Sequence, residues 1–514
     1  MENKKEGKEL KDDLSKLAKN AGISGVGGII GNAIAYTSNV LVTRRIGLAP
    51  FGVYVLASTI LRIVGIFSVL GLDWGLIRFI SLYQGRGDRA RVKGVILFAT
   101  KVAGLISLFF FSLLFLTSNF ISIQIFHNPD LSPALQILSI SLPFTTLMTV
   151  WLGGIQGFQL IKYRVYVEKL FQPLSRLLFL ILLFILGMKL FGVLIALLLS
   201  AIIGSIFAFC YLDKIFPFRQ NQLIPIYEKK EILAFSLAVS LNSFFYYVSR
   251  WIGIFMLGYF ATSKDVGIYG AVDRVIPLIN LPLVALDSIF PPMISELYGK
   301  KDYSKLESLY KVETKWAISL GLPFFLVLSI FARPIMSIFG AEFGEGATVL
   351  IILSAAQMII VCVGSQGQVL IMTGHQNLTL INNVFFAVIN IVLNYFLIPK
   401  YGILGAAVSG LICSAAITLI EVGQVYYLFR MHPFRSDLVK PLAAAVIVSC
   451  LTLFLNRLGF LNLSQMNIFL FGICVAIFMG LYFLLIIALK LSDEDRFVTD
   501  VILKRFLWQG KQKP

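Results

Sequence analysis

Long apolar stretches, separated by short polar segments, follow one another along almost the whole chain. A helix needs about 20 mostly apolar residues to cross the hydrocarbon core of a bilayer. Fourteen stretches meet this requirement, near residues 22–43, 51–72, 92–117, 132–155, 168–187, 190–212, 232–260, 266–292, 313–338, 346–372, 378–398, 402–429, 438–456 and 467–489. The pattern therefore predicts an all-α polytopic membrane protein with about fourteen transmembrane helices.

Composition agrees with a bilayer as the main solvent. Of the 514 residues, 58% are hydrophobic and 14% are charged, and the mean hydropathy is +0.86. A soluble domain of this length needs far more polar surface. The first twenty residues lack an apolar core followed by a cleavage site, so we expect the first apolar stretch to remain as an anchor. All five cysteines lie inside apolar stretches without metal-ligand spacing, which indicates packing residues.

Basic residues predict the orientation in the plasma or inner membrane. With the N-terminus in the cytoplasm, the loops and tails on that side hold 32 Lys and Arg, and the outer loops hold seven. This asymmetry is the positive-inside bias, and it places both termini in the cytoplasm. The net charge of +17 is then mainly a topology signal, so no nucleic-acid partner is expected.

A weak internal repeat runs through the first twelve stretches. Gly52-Val-Tyr54 recurs as Gly267-Ile-Tyr269, and Gly154-Ile-Gln-Gly157 recurs as Gly364-Ser-Gln-Gly367. An offset of six helices preserves the direction of each helix, so the repeat predicts two parallel six-helix lobes around a central cavity. The predicted division is an N-terminal tail at 1–20, an N-lobe at 21–212, a linker at 213–230, a C-lobe at 231–430, two further helices at 431–490 and a C-terminal tail at 491–514.

Ionisable residues inside apolar stretches are the candidate functional residues. Each costs about 2.5–3.5 kcal/mol at a helix centre on insertion scales, and such residues usually have a function. They cluster in predicted helices 1, 2, 7 and 8, as Arg44, Arg45, Arg62, Arg250, Asp273, Arg274 and Asp287. Because a guanidinium donates paired hydrogen bonds to phosphate, the Arg residues predict a basic cavity for an anionic headgroup.

Two other interpretations of these charges stay open. Arg274 is expected to pair internally with Asp273 or Asp287 if it does not face the cavity, and Arg44 and Arg45 to reach the membrane interface. Asp287 and Asp273 are interpreted either as counter-ions of an Arg or as a coupling site for a proton or a sodium ion. No catalytic residue, metal site or cofactor is expected.

Several segments resemble the polysaccharide transporter family, which includes O-antigen and exopolysaccharide repeat-unit flippases. They are Arg45-Ile-Gly-Leu-Ala-Pro-Phe-Gly-Val-Tyr54, Gly71-Leu-Asp-Trp-Gly-Leu-Ile-Arg-Phe-Ile80, Met256-Leu-Gly-Tyr-Phe260, Val266-Gly-Ile-Tyr269 and Gly402-Ile-Leu-Gly-Ala-Ala407. The resemblance implies the fold of the lipid II flippase and of multidrug and toxin extrusion transporters, with a cationic cavity. Carried onto this chain, the cavity positions are Arg62, Arg250, Arg45 and Arg274. Gly253 stands where family members often carry an acidic residue after the helix 7 Arg.

The resemblance implies a transporter rather than an enzyme. The expected activity is alternating-access movement of a polyprenyl-diphosphate-linked oligosaccharide from the cytoplasmic to the outer leaflet, in a pathway with a polysaccharide polymerase and glycosyltransferases. A lipid II flippase is one alternative. A cation-coupled multidrug exporter usually stops at twelve helices and prefers acidic cavities. A membrane glycan polymerase or ligase should carry a long outer loop with catalytic residues, whereas every predicted outer loop is short.

Overall fold

The regular structure of the chain is helical throughout the residues described. The computed structural model describes residues 27–28, 30–217, 223–286, 290–458 and 468–488, and these ranges contain helices joined by short turns. The prediction of an all-α chain is therefore confirmed for this part of the protein.

The helices of the first half surround one central helix. They are α1 (30–46), α2 (Leu48–Val69), α3 (Leu72–Gly85), α4 (Arg89–Phe120), α5 (Leu131–Gly157), α6 (Ile161–Val165), α7 (Gln172–Ile185), α8 (Leu190–Ile215) and α9 (Lys229–Phe260). Single π-helical turns continue α4 at Ile121–Ile125 and join α6 to α7 at Tyr166–Phe171. The central helix is α5, which packs against α2, α3, α4 and α8.

The helices of the second half are more often interrupted. They are α10 (Ser263–Val275), α11 (Pro277–Leu286), α12 (Phe290–Gly299), α13 (Tyr303–Ile330), α14 (Ala332–Ser337), α15 (Ala347–Val361), α16 (Gln366–Met372), α17 (Gln376–Phe429), α18 (Val439–Arg457) and α19 (Ile468–Ala488). Helix α17 contains a break at Gly402, where φ is 56° and ψ is −134°. Only glycine adopts such angles without strain, so the chain can bend there between two helical segments.

Two compact units make up the chain. The first unit comprises Met1–Gly270 and Asn394–Ile403, and the second comprises Ala271–Leu393 and Leu404–Pro514. In the first unit, α3 lies close against α5. A Cβ atom added to Gly153 would lie only 2.6 Å from the carbonyl oxygen of Asp73, so the approach of the two helices needs glycine at this position. In the second unit, α13 packs against α11, α15 and α18. The predicted lobe boundaries stay predictions.

Ten helical segments of the described chain are long and apolar enough to cross a membrane, or eleven if the bent α9 is one span. The fourteen predicted stretches differ from this number at identifiable places. Residues 376–429 count as one segment in this number, although they are two helices that meet at the kink at Gly402, where two stretches are predicted. Helix α7 has 14 residues where a span is predicted at 168–187, and the first stretch lies partly outside the described residues. Helix interruptions of this kind depend on packing as well as on hydropathy.

Candidate functional site

A cavity of about 510 Å³, lined by both polar and apolar side chains, lies inside the first unit. Helices α1, α2, α3, α5, α7, α8 and α9 all contribute to its wall. Hydroxyl side chains are its commonest lining group: Ser38, Ser58, Thr145, Thr146, Thr149, Ser200, Ser240 and Ser243. Between helices that are otherwise apolar, such a wall can hydrogen-bond a polar ligand or hold water.

Helical periodicity explains how the polar side chains reach one space. On α2 the lining residues include Tyr54, Ser58 and Arg62, each four positions after the last, so they lie on one helix face. On α5 Thr145 and Thr149 have the same spacing. Each of these threonines donates its hydroxyl proton to a backbone carbonyl one turn back. Thr149 Oγ1 lies 2.9 Å from the carbonyl oxygen of Thr145, and Thr145 Oγ1 lies 3.1 Å from that of Ser141. Their hydroxyl oxygens therefore remain acceptors towards the cavity.

A tight turn between α2 and α3 brings two further groups to the wall. Leu70 and Gly71 both adopt left-handed conformations, with φ of 53° and 68°. A Cβ atom on Gly71 would lie 2.3 Å from the carbonyl oxygen of Ser236, so the turn also needs glycine for space. Asp73 and Trp74 follow in the first turn of α3 and line the cavity.

Two guanidinium groups line the cavity, and aromatic rings contact both. The Cζ atom of Arg62 lies 5.5 Å from the centre of the Trp251 ring. Arg176 on α7 donates a hydrogen bond of 2.8 Å from Nη2 to the Tyr54 hydroxyl. The Cζ atom of Arg176 lies 5.9 Å from the centre of the Tyr54 ring. Cation–π contacts and a hydrogen bond thus hold both cations in place at the wall.

Positive charge exceeds negative charge in the cavity. Among the lining residues described, Asp73 is the one carboxylate, against the two cations Arg62 and Arg176. Across the described ranges, no carboxylate lies within 4.0 Å of either guanidinium. Both cations therefore keep hydrogen-bond donors for a ligand, and an anion is the ligand they favour.

The structure separates the predicted site residues into four groups. Arg62 lies in the cavity wall. Arg250 on α9 is exposed, as are Arg44 and Arg45 in the last turn of α1, and none of these three lines the cavity. Asp273 and Arg274 are half-buried on α10 and belong to the second unit. Asp287 lies outside the described residues.

Sequence reasoning missed Arg176, Tyr54 and Trp251 as parts of the cavity. Arg176 carries the same signal as Arg62, a cation inside an apolar stretch, but it stands apart from the cluster in predicted helices 1, 2, 7 and 8. Tyr54 and Trp251 carry no signal that separates them from core or lipid-facing aromatic residues. In the described part of the chain, no group of three or more His, Cys, Asp or Glu could hold a metal ion.

These features define a multi-pass membrane protein with an internal, net basic cavity. The model of a family described as polysaccharide biosynthesis protein matches residues 17–298, more than half of the chain, and the chain belongs to that family. A second family model, MatE, matches residues 238–396.

Individual relatives match parts of the chain. The probable low-salt glycan biosynthesis flippase Agl15 of Haloferax volcanii is 31% identical over 191 residues, 36% of this chain and 39% of that protein. The capsular polysaccharide biosynthesis protein CapF of Staphylococcus aureus is 25% identical over 243 residues, 46% of this chain and 60% of that protein. The matches thus span less than two thirds of the length of either relative.

A solved structure extends the likeness to nearly the whole chain. The lipid II flippase MurJ, in its inward closed conformation, has a TM-score of 0.71 and 14% sequence identity, covering 93% of this chain and 99% of that one. At this identity the likeness establishes the fold. The predicted relation to the lipid II flippase and to multidrug and toxin extrusion transporters is thereby confirmed.

Proposed function

We propose that the protein is a flippase for lipid-linked glycans. It moves a polyprenyl-diphosphate-linked oligosaccharide from the cytoplasmic to the outer leaflet of the plasma or inner membrane. The observation that carries the proposal is the cavity of the first unit, which is lined by two guanidinium groups, of Arg62 and Arg176, and one carboxylate, of Asp73. Membership of a polysaccharide biosynthesis family supports the same substrate class.

Each part of the substrate has a matching group in the cavity. Arg62 and Arg176 neutralise the diphosphate, because guanidinium groups bind phosphate oxygens with charge-assisted hydrogen bonds. The hydroxyls of the wall hydrogen-bond sugar hydroxyls, and the faces of Trp251 and Trp74 offer apolar surface to sugar C–H groups. A volume of about 510 Å³ suits a headgroup, so the polyprenyl chain stays in the bilayer.

The proposed architecture follows the topology expected from the sequence. Fourteen helices form two six-helix lobes plus two C-terminal helices, and both termini lie in the cytoplasm. Rocking of the lobes exposes the cavity to one side and then to the other. No covalent chemistry is needed, and a polysaccharide polymerase and glycosyltransferases of the same pathway act before and after this step.

A lipid II flippase is the second candidate, because the fold likeness to MurJ favours it. Lipid II carries the same diphosphate, so Arg62 and Arg176 would bind either substrate. Flipping of each lipid, measured separately and in competition, distinguishes the two functions. A cationic drug is a poor ligand for a cavity with two guanidinium groups and one carboxylate.

The test uses the purified full-length protein in liposomes that contain a fluorescent polyprenyl-diphosphate oligosaccharide. The rate at which the label becomes accessible to an external quencher is compared for wild type, Arg62→Ala and Arg176→Ala. Loss of a hydrogen bond to a charged group costs about 1.5–3 kcal/mol. We therefore expect a loss of substrate affinity of roughly 10- to 100-fold.

Lys101→Ala is the matched control, because Lys101 is an exposed cation of α4 that does not line the cavity. It should flip the substrate at the wild-type rate. Flipping that is equally fast in the wild type and in both Arg variants would contradict the assignment of the cavity. Failure to flip either lipid-linked glycan or lipid II, under any gradient, would contradict the function.

A further inference from the structure

The side chain of Gln366, the first residue of α16, has a buried acceptor that lacks a donor. Gln366 is 5% exposed. Within the described part of the chain, its Oε1 atom has no hydrogen-bond partner. Burying an amide oxygen without a donor costs free energy, because the oxygen loses its hydrogen bonds to water. A donor that reaches this oxygen would therefore stabilise the second unit.

The group beside this amide is a buried carboxyl. Glu421 of α17 is 8% exposed, and the side chains of Gln366 and Asn382 hydrogen-bond it. A Cβ atom on the neighbouring Gly367 would lie 3.9 Å from Oε2 of Glu421, so the start of α16 lies against the carboxyl. The donor-deficient amide and the carboxyl thus form one cluster.

The other elements around Glu421 supply no counter-charge. Helix α13 contributes Tyr310 and the fully buried Glu313, and both glutamates lie close enough to the Tyr310 phenol to interact with it electrostatically. On α17, Asn382 and Gln424 exchange two hydrogen bonds of 2.8 and 2.9 Å. In the ranges that the structure describes, no Lys, Arg or His lies within 4.0 Å of the Glu421 carboxyl.

The first unit contains a related motif, and there the glutamine has a partner. Gly154-Ile-Gln-Gly157 of the first unit corresponds to Gly364-Ser-Gln-Gly367 of the second. In the first unit, Arg164 donates a hydrogen bond from Nη1 to Oε1 of Gln156. At the same spacing after Gln366 stands Gly374, which has no side chain to donate. In the first unit, therefore, a guanidinium donates to the glutamine oxygen. In the second unit, no guanidinium stands at that spacing, and the carboxyl of Glu421 lies beside the glutamine instead.

We propose that Glu421 is a proton-binding site and that it holds its proton by pairing with Gln366. The protonated carboxyl donates its O–H to Oε1 of Gln366, and the Gln366 amide donates to the carbonyl oxygen of the acid. One proton, taken from water, satisfies the orphaned acceptor and removes the buried charge. Loss of the proton to water leaves a buried carboxylate with hydrogen bonds from Gln366 and Asn382 but no counter-charge. Hydration would stabilise it further, so opening of this cluster to water releases the proton.

The proton site does not depend on the proposed function. Coupling of the proton to glycan movement, in contrast, rests on the proposed function. If the two are coupled, a proton gradient drives the flippase, and the second unit carries the proton while the cavity of the first unit carries the headgroup.

Infrared difference spectroscopy of the full-length protein in liposomes tests the site without any substrate. We expect a C=O stretching band of a protonated carboxyl at neutral pH, shifted by exchange into D₂O and absent in Glu421→Gln. Gln366→Leu should keep the band but move it to the position of an acid without that hydrogen-bond partner. Glu307→Gln is the matched control, because Glu307 lies outside the cluster and pairs with Lys311 at 2.7 Å. It should leave the band unchanged.

Two results would overturn the proton site. One is a protonated-carboxyl band that survives in Glu421→Gln, which would assign the proton to another group, with Glu313→Gln as the direct comparison. The other is a wild-type spectrum without the band, combined with thermal stabilisation by sodium that Glu421→Gln abolishes. That result would assign a sodium ion to the cluster instead.

A separate measurement tests the coupling. Flipping rates in liposomes with and without an imposed pH gradient should respond to the gradient in the wild type and lose the response in Glu421→Gln. A band assigned to Glu421 together with wild-type flipping that ignores the gradient would overturn the coupling and leave the proton site intact. Absence of flipping in all conditions would overturn the proposed function and leave the infrared assignment unaffected.

Discussion

The guanidinium carbon of Arg62 lies 5.5 Å from the centre of the Trp251 ring, so a cation–π contact joins α2 to α9 at the wall of the cavity. The two residues are far apart in the chain, and both line the same space. The ring therefore orients a cation that would otherwise have many conformations open to it.

Trp251→Leu should weaken substrate binding by removing this orientation. A cation–π contact is worth about 0.5–2 kcal/mol, which corresponds to a rise in the apparent KM of roughly 2- to 30-fold. The substrate dependence of the flipping rate measures the change. Trp251→Phe keeps an aromatic face and should lose less. Equal KM values for wild type and Trp251→Leu would show that the ring does not position Arg62 for binding.

Tyr54→Phe should loosen Arg176, because it removes the hydroxyl that accepts the hydrogen bond of 2.8 Å from Nη2. Hydrogen bonds to charged groups contribute about 1.5–3 kcal/mol, so the loss of substrate affinity should be at most roughly 10- to 100-fold. Arg176→Lys keeps the charge but not the planar fork, and it should also bind more weakly. A normal KM in Tyr54→Phe together with a raised KM in Arg176→Ala would exclude a positioning role for Tyr54.

Gly71→Ala should distort the start of α3, where Asp73 and Trp74 reach the cavity. The left-handed φ of 68° strains any other residue, and the added Cβ would lie 2.3 Å from the Ser236 oxygen. Together these effects should lower the free energy of unfolding by about 1–3 kcal/mol. Thermal unfolding in detergent measures it. Gly65→Ala on α2 is the control, since its nearest neighbour would be 3.9 Å away.

Gly52→Ala and Gly267→Ala should each push α2 away from α10. A Cβ atom on Gly52 would lie 1.7 Å from the Ser263 oxygen, and one on Gly267 would lie 2.6 Å from the Leu48 oxygen. Overpacking of this kind usually costs about 1–3 kcal/mol, so both variants should unfold at lower temperature. Gly480→Ala on α19 meets no atom within 4 Å and should match the wild type. An unchanged unfolding temperature in Gly52→Ala would show that the contact yields without cost.

The class of the protein was predictable from the sequence because hydropathy is a local and additive property. Each apolar stretch favours the bilayer whatever its neighbours do, and inside the bilayer an isolated segment must be helical to satisfy its backbone. The number of separate helices was less predictable. Residues 376–429 are two helices separated by a kink at Gly402, whereas the stretch predicted at 168–187 contains the 14-residue helix α7 after a π-helical turn. Packing decides where a helix is interrupted in this way.

The cavity was predictable only in part. Arg62 was found because a cation in an apolar stretch stands out in the sequence alone, and Arg176 could have been found by the same signal. Arg250 gives that signal too, yet it does not line the cavity. The signal reports depth along a helix, whereas the direction of a side chain depends on how the helix is rotated against its neighbours.

By itself, therefore, the sequence determined that the bilayer is the solvent and that the regular structure is helical. These properties sum over residues that are adjacent in the chain. The tertiary structure decided that Arg176 meets Tyr54, that Arg62 meets Trp251 and that Gln366 meets Glu421. These partners lie on different helices, and only close packing of those helices brings their short-range interactions within reach.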